Sequence, residues 1–336
     1  MNAVTVWLDP DMFSRTPREL VGNGALRASA FRYSSGVEGL RIDNGVGHIV
    51  VLPFVGQQVW RAEMYGRPLT MISTFDEPID TTDYLAGNGA YFVHCGGSAM
   101  GNPSPADGHP LHGEMPFARH SQVALEVVGG TITVRGGFTS RVSFGPYFSA
   151  TTSVTVTEGS GMLESRATIT NLSREPRPLM YLAHLNFRPA IGGTVVDTLR
   201  PGLSTTTRAG FDLDRPFDEL LAPGVRVEPE IVQHVPAAAD AKGWVTTRQL
   251  HPDGSADVVA HRSPDLTHTL RWLRRSPDDD AFGFALPATA EADGLAEETR
   301  KGNVRNYAPD ESLSVQILHG VEPAQTTTPP TEWSST

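Results

Sequence analysis

The chain is 336 residues long, with 39% hydrophobic and 19% charged residues, which allows a sizeable core and excludes a globally disordered chain. Its net charge is −11 and it has two lysines, Lys242 and Lys301, so it lacks the basic clusters that nucleic acid or an anionic membrane surface requires. Its one cysteine, Cys95, excludes an internal disulfide and a thiolate metal cluster, and fits a reducing cytoplasm.

Met1 to Asp11 carries neither a basic segment nor a long apolar run, so it does not read as a signal peptide. No stretch approaches the length of an apolar membrane span, and a cytoplasmic location is expected. Residues 1–35 read as an N-terminal arm or small lobe packed on the main domain, with a short helical turn over Pro17 to Leu20. Beyond it, Gly and Pro punctuate short β-branched or alternating runs. Thr131-Ile132-Thr133-Val134-Arg135 and Ser153-Val154-Thr155-Val156-Thr157 alternate with period two. Ala167 to Thr170, Val225 to Val227 and Ser312 to Ile317 read as strands on the same grounds. A second helical turn is expected within 215–222, and Asp278-Asp279-Asp280 reads as a solvated turn. The pattern predicts an all-β antiparallel sandwich or barrel over residues 36–324. The Thr- and Pro-rich stretch 325–336 reads as a flexible tail.

Three polar constellations interrupt this pattern. The first runs from His94-Cys95-Gly96-Gly97 through Met100-Gly101-Asn102-Pro103 to Asp107, His109, His112 and Glu114. Its density of Gly and Pro predicts a loop, and loops on a β scaffold commonly carry function. The second is the run from Met180 to Phe187. On a strand, Leu182, His184 and Asn186 share a face, where a buried His and Asn both need hydrogen-bond partners. The third is Leu318 to Pro323, in which His319 and Val321 share one face and Gly320 and Glu322 the other.

Taken in order, these motifs resemble the aldose 1-epimerase (galactose mutarotase-like) superfamily. Leu111-His112-Gly113 is similar to its Leu-His-Gly motif. His184-x-Asn186-Phe187 is similar to its second histidine motif, and Val321-Glu322-Pro323 to the late strand that carries its glutamate. Leu52-Pro53-Phe54-x-Gly56-Gln57-Gln58-x-Trp60, His94-Cys95-Gly96 and Met100-Gly101-x-Pro103 resemble an uncharacterised bacterial branch of that superfamily. The resemblance implies a large antiparallel β-supersandwich with few short helices and a sugar in an open cleft. It implies Glu322 as the base that takes the anomeric proton, His184 as the acid that protonates the ring oxygen, and His112 as a group that holds the sugar. It implies no metal and no organic cofactor. His109, Asp107, Asn186, His94, Trp60 and Arg119 are the candidate substrate-binding residues, with bracing of the loop as the other role open to Asp107 and His109. Trp60 stands with Tyr91, Phe92 and Phe187 as candidates for an aromatic platform, and Arg119 with Arg61 and Arg188 as candidates for the partner of an anionic sugar. The family's Gly-Arg-x-x-Asn-Arg motif is absent; Leu85 to Phe92 stands in its place, which leaves the sugar open.

The expected partner is therefore a small-molecule sugar, bound by a monomer or homodimer without nucleic acid or membrane. Two rivals remain. One is a metal-dependent cupin-like sugar isomerase built on His109, His112, Glu114 and His184. Pro110 and the three-residue spacing of the first two histidines oppose it, and the His-x-His of cupins is missing. The other is a non-catalytic carbohydrate-binding module on the same fold.

Overall fold

Alternating apolar residues close two large antiparallel sheets against each other in a computed structural model that describes residues 3–199, 205–208, 217–262 and 264–324. The nine-stranded sheet runs from Val4–Trp7 through Ser121–Val128, Thr131–Arg141, Tyr147–Thr157, Met162–Asn171, Ser312–Glu322, Ala256–His261 and Val245–Leu250 to Thr194–Asp197. The second sheet runs from Thr205–Arg208 through Val227–Pro236, His268–Arg275, Asp280–Ala288, Met180–Leu185 and Phe92–Gly97. It continues through Val59–Met64, Gly47–Val51, Glu38–Asp43 and Leu26–Arg32 to Arg18–Asn23, and Arg67–Pro68 pairs beside Val59–Met64 to make twelve strands. Among the described residues, helix is confined to short pieces, which include Tyr84–Gly87, Phe217–Leu220 and Leu295–Lys301. No helix is long and apolar enough to cross a membrane among the described residues.

Period-two burial shows which face of each strand meets the core. In Met162–Asn171, Leu163, Ser165 and Ile169 are buried while Arg166 is exposed. Leu163 lies opposite His319, so His319 belongs to the same inward face. His319 is fully buried, and its ring stacks on Phe92 of the other sheet at 4.9 Å. Its two nitrogens bond Ser165 Oγ at 2.8 Å and the Tyr91 hydroxyl at 3.1 Å. The odd-numbered residues of Ser312–Glu322 therefore face the twelve-stranded sheet, and Glu322 faces away from it. In the twelve-stranded sheet, Phe92 lies opposite Leu185 and His94 opposite Ala183, while Val93 lies opposite His184 and Cys95 opposite Leu182. Phe92 points inward, so Leu182 and His184 lie on the sheet's outer face.

Several expectations change. Pro17 to Leu20 is not a helical turn: Arg18–Asn23 is a strand, because a tight turn at Gly24 (φ 62°) folds it back onto Leu26–Arg32. Residues 4–32 supply strands to both sheets. The strand expected at Val225 starts at Val227 and runs to Pro236. Helix forms at Phe217–Leu220, while residues 215–216 and the tail 325–336 lie outside the described residues.

Candidate active site on the outer face of the twelve-stranded sheet

Two imidazoles meet on this outer face. His184 comes from Met180–Leu185, and His112 from the Gly- and Pro-rich loop that crosses above it. Their ring centroids are 5.2 Å apart, and the Tyr84 ring lies 4.5 Å from that of His112. The Trp272 ring stands 5.5 Å from that of His184. With Asn88, Asn102, Glu230 and a wall of aliphatic side chains, these groups line one recess.

The backbone explains why His112 sits there. His112 N–H donates to Gly101 O at 2.9 Å, and Gly96 N–H donates to His112 O at 2.8 Å. His112 adopts φ 62° and Gly113 φ 80°. A Cβ on Gly113 would run into the carbonyl oxygens of Ala99 and Gly96, so the glycine of Leu-His-Gly is a steric requirement of this crossing. Glu114 then anchors the loop by accepting from Ser98 N–H and Oγ–H. Tyr84 begins a helical turn capped by Asp83, whose Oδ1 accepts from Leu85 N–H at 3.0 Å.

His184 is held in one orientation. Asn186 Nδ2 donates to Ala90 O at 2.9 Å, which aims its Oδ1 at His184 Nδ1, 2.8 Å away. An amide oxygen only accepts, so the network assigns the proton to Nδ1 and leaves Nε2 with a lone pair in the neutral ring. Burial pushes the His184 pKa down to about 4, against the opposing pulls of the Asn186 hydrogen bond and the Glu230 charge. At pH 7 the resting ring is neutral. A hydroxyl-bearing ligand in the recess meets an acceptor at Nε2, an indole face and a carboxylate.

The other sequence-derived candidates fall elsewhere. Glu322 sits on the outer face of the opposite sheet, on the far side of the sandwich from His184. Arg248 holds it there with two hydrogen bonds of 3.0 Å. Its distance from His184 follows from strand alternation: the face shared by His319 and Val321 is the one that meets the core. His94 is fully buried on the inward face, with Nδ1 2.7 Å from the Tyr181 hydroxyl, and burial lowers its pKa to about 3. Trp60 is buried, with the Arg61 guanidinium 4.4 Å from its ring. Arg119 is exposed and paired with Asp80 at 2.5 Å. None of these four lines the recess.

Asp107 and His109 brace the loop. Asp107 accepts from Ser104 and from Ala296 N–H at 2.8 Å, while His109 Nε2 accepts from Leu295 N–H at 3.3 Å. Both tie the His112 loop to the start of Leu295–Lys301. Burial raises the Asp107 pKa, but the Ser104 and Ala296 hydrogen bonds and His109 together leave it below the usual value. The proposed metal set of His109, His112, Glu114 and His184 does not converge, because His109 and Glu114 are engaged in these separate tasks. Among the described residues, the His, Asp and Glu groups close enough to share an ion are His234, Glu291 and Asp293. There the Lys301 ammonium lies 2.5 Å from Glu291 and 2.6 Å from Asp293, so the cluster already holds a cation.

The family model for a domain of unknown function, DUF4432, matches residues 34–321. The chain belongs to the DUF4432 family. No curated protein matches this DUF4432 chain in sequence. Its fold is shared with solved structures. A candidate aldose 1-epimerase of Klebsiella pneumoniae superposes with a TM-score of 0.79 at 18% identity, covering 95% of this chain and 91% of that one. A galactose mutarotase-like protein of Clostridium acetobutylicum gives 0.65 at 14% identity, with 89% and 99% covered. A galactose mutarotase related enzyme of Lactobacillus acidophilus gives 0.57 at 10% identity, with 86% and 98% covered. At these identities the likeness establishes the fold, a galactose mutarotase-like β-sandwich, for the DUF4432 chain.

Four recess residues, Tyr84, Asn88, Glu230 and Trp272, carry no signal that sequence alone exposes. Glu230 and Trp272 reach the recess because Val232 pairs with Trp272 across adjacent strands, and that register is a long-range fact.

Proposed function

We propose that this protein is a carbohydrate epimerase of the aldose 1-epimerase type, which opens and recloses the hemiacetal ring of a free or modified sugar in the recess around His112 and His184. The observation that carries the reading is the meeting of these two histidines, 5.2 Å apart, beside an indole wall and an aliphatic floor. Apolar surface suits the C–H face of a pyranose, and the polar groups suit its hydroxyls. The mutarotase-like fold and the names of its structural relatives support the same reading.

Ring opening needs one proton removed from the anomeric hydroxyl and one delivered to the ring oxygen. Buried imidazole and carboxylate groups are suited to both, each positioned group contributing about 10²- to 10⁴-fold. His184, fixed by Asn186, is one carrier. His112 holds the sugar against it. Asp107 and His109 act on the site through the loop that carries His112.

The test is magnetisation-exchange NMR of anomer interconversion across a panel of aldoses, ketoses, uronic acids and sulfo- or phospho-sugars. Catalysed exchange of at least one sugar, lost in His184→Ala, is expected. A chain that accelerates none of them contradicts the reading.

A further inference from the structure

Ring opening requires a second proton carrier, and the group expected from the sequence, Glu322, lies across the sandwich in the grip of Arg248. We infer that Glu230 is the base that takes the anomeric proton, with Trp272 as its positioning residue; this assignment rests on the epimerase reading above.

Glu230 lies on Val227–Pro236, in the irregular stretch between Val227 and Ile231, and lines the same recess as Val232. Val232 pairs with Trp272, and both line the recess with Glu230 and His184. The Trp272 indole N–H donates to Glu230 Oε2 at 2.7 Å. The indole N–H fixes the direction of the Glu230 carboxylate beside the recess, whereas Glu322 is held by a guanidinium fork on the far side of the sandwich. The strands of Glu230 and His184 are three positions apart in the sheet, with His268–Arg275 and Asp280–Ala288 between them. At roughly 4.8 Å per step, the two backbones are far enough apart for their side chains to face each other across a sugar ring. Trp272 reaches both groups, with its N–H on Glu230 and its ring 5.5 Å from that of His184. Glu230 already acts on His184 electrostatically, raising a pKa that burial lowers.

The steps balance without a co-reactant. The Glu230 carboxylate takes the proton of the anomeric hydroxyl. The C1–O5 bond breaks, its electron pair goes to O5, and O5 takes a proton from the His184 imidazolium. Rotation about C1–C2 presents the other face of the aldehyde. Closure then forms C1–O5 again and returns each proton to its donor.

The experiment compares Glu230→Gln with Glu322→Gln in the full-length chain. Gln at 230 keeps an oxygen for the Trp272 N–H and removes the base. On the sugar that the wild type turns over, Glu230→Gln is expected to lower kcat by about 10²- to 10⁴-fold with an unchanged melting temperature, and Glu322→Gln to stay within about threefold of wild type. The reverse pattern, or a Glu230→Gln enzyme within about twofold of wild type, overturns the assignment. A second measurement needs no sugar: the NMR titration of His184 in each variant. Loss of the Glu230 charge is expected to move the His184 midpoint below its wild-type value, and Glu322→Gln to leave it in place. An unmoved midpoint in Glu230→Gln overturns the assignment even if no sugar is turned over. A shifted midpoint with no turnover on any sugar instead counts against the epimerase reading, and so separates the two.

Discussion

In the proposed epimerase reaction His184 delivers the proton to the ring oxygen, and its surroundings fix its behaviour with pH. Burial holds its pKa at about 4, so its imidazolium fraction at neutral pH is small and grows as pH falls. As the acid that protonates O5, it should make kcat/KM rise as pH is lowered from 8 toward 6. Flat or falling kcat/KM over that interval would assign the acid role to another group. Asn186→Leu removes the hydrogen bond that supports the charged ring, so it should lower kcat and move the pH profile further to the acid side; a variant with wild-type kcat would show that the Nδ1 contact is dispensable. His112, His184 and Asn186 were legible in the sequence because their chemistry is local: a polar loop, and two polar groups at i and i+2 of an apolar strand. Glu322 misled for a reason that is equally physical. Alternation correctly separated Glu322 from His319, but only the pairing of strands shows that the His319 face meets the other sheet.

At the scale of elements, the loop that follows the strand Phe92–Gly97 and carries His112 forms one assembly with the helix Leu295–Lys301. Asp107 and His109 join them through the backbone N–H groups of Ala296 and Leu295, and Gly113 lets the loop pass against Gly96 and Ala99. Gly113→Ala forces a Cβ into two carbonyls at φ 80°, a strain of order 1–3 kcal/mol, and should lower both the melting temperature and kcat. Asp107→Ala should act differently, raising KM more than it lowers kcat, because it loosens the seat of His112 without touching the proton carriers. An Asp107→Ala enzyme with lowered kcat and unchanged KM would place Asp107 at the chemistry instead. Most long strands were readable from their period-two runs. The Arg18–Asn23 hairpin was not, because its polar, Pro-led start resembles a helix entry until Leu26–Arg32 is placed beside it. Residues 4–32 join both sheets in the same way, as strands whose place shows only through their neighbours.

The whole molecule stores neutral histidines in its interior. Burial lowers the pKa of His94 and His319 to about 3, and of His120, His184 and His261 to about 4. Below pH 6.5 the unfolded chain takes up protons at these sites that the folded chain refuses, so unfolding free energy must fall as pH drops from 6.5 toward 4. The urea midpoint should therefore be constant near pH 7.5 and decline steadily below 6.5; a midpoint unchanged at pH 5 would mean that these rings are charged or exposed in the folded state. The fold class was legible from alternation and turn residues, and the motif order pointed to the mutarotase-like sandwich. The side of the sandwich that carries the site was not legible, because it is set by which face of each sheet the other covers. The central claim is that the recess between His112 and His184 opens a sugar ring. Magnetisation-exchange NMR on the wild type and His184→Ala, with one panel of free and modified sugars, tests it most directly. The account predicts accelerated anomer exchange that disappears with the imidazole, and exchange that is absent in the wild type or survives in His184→Ala would contradict it.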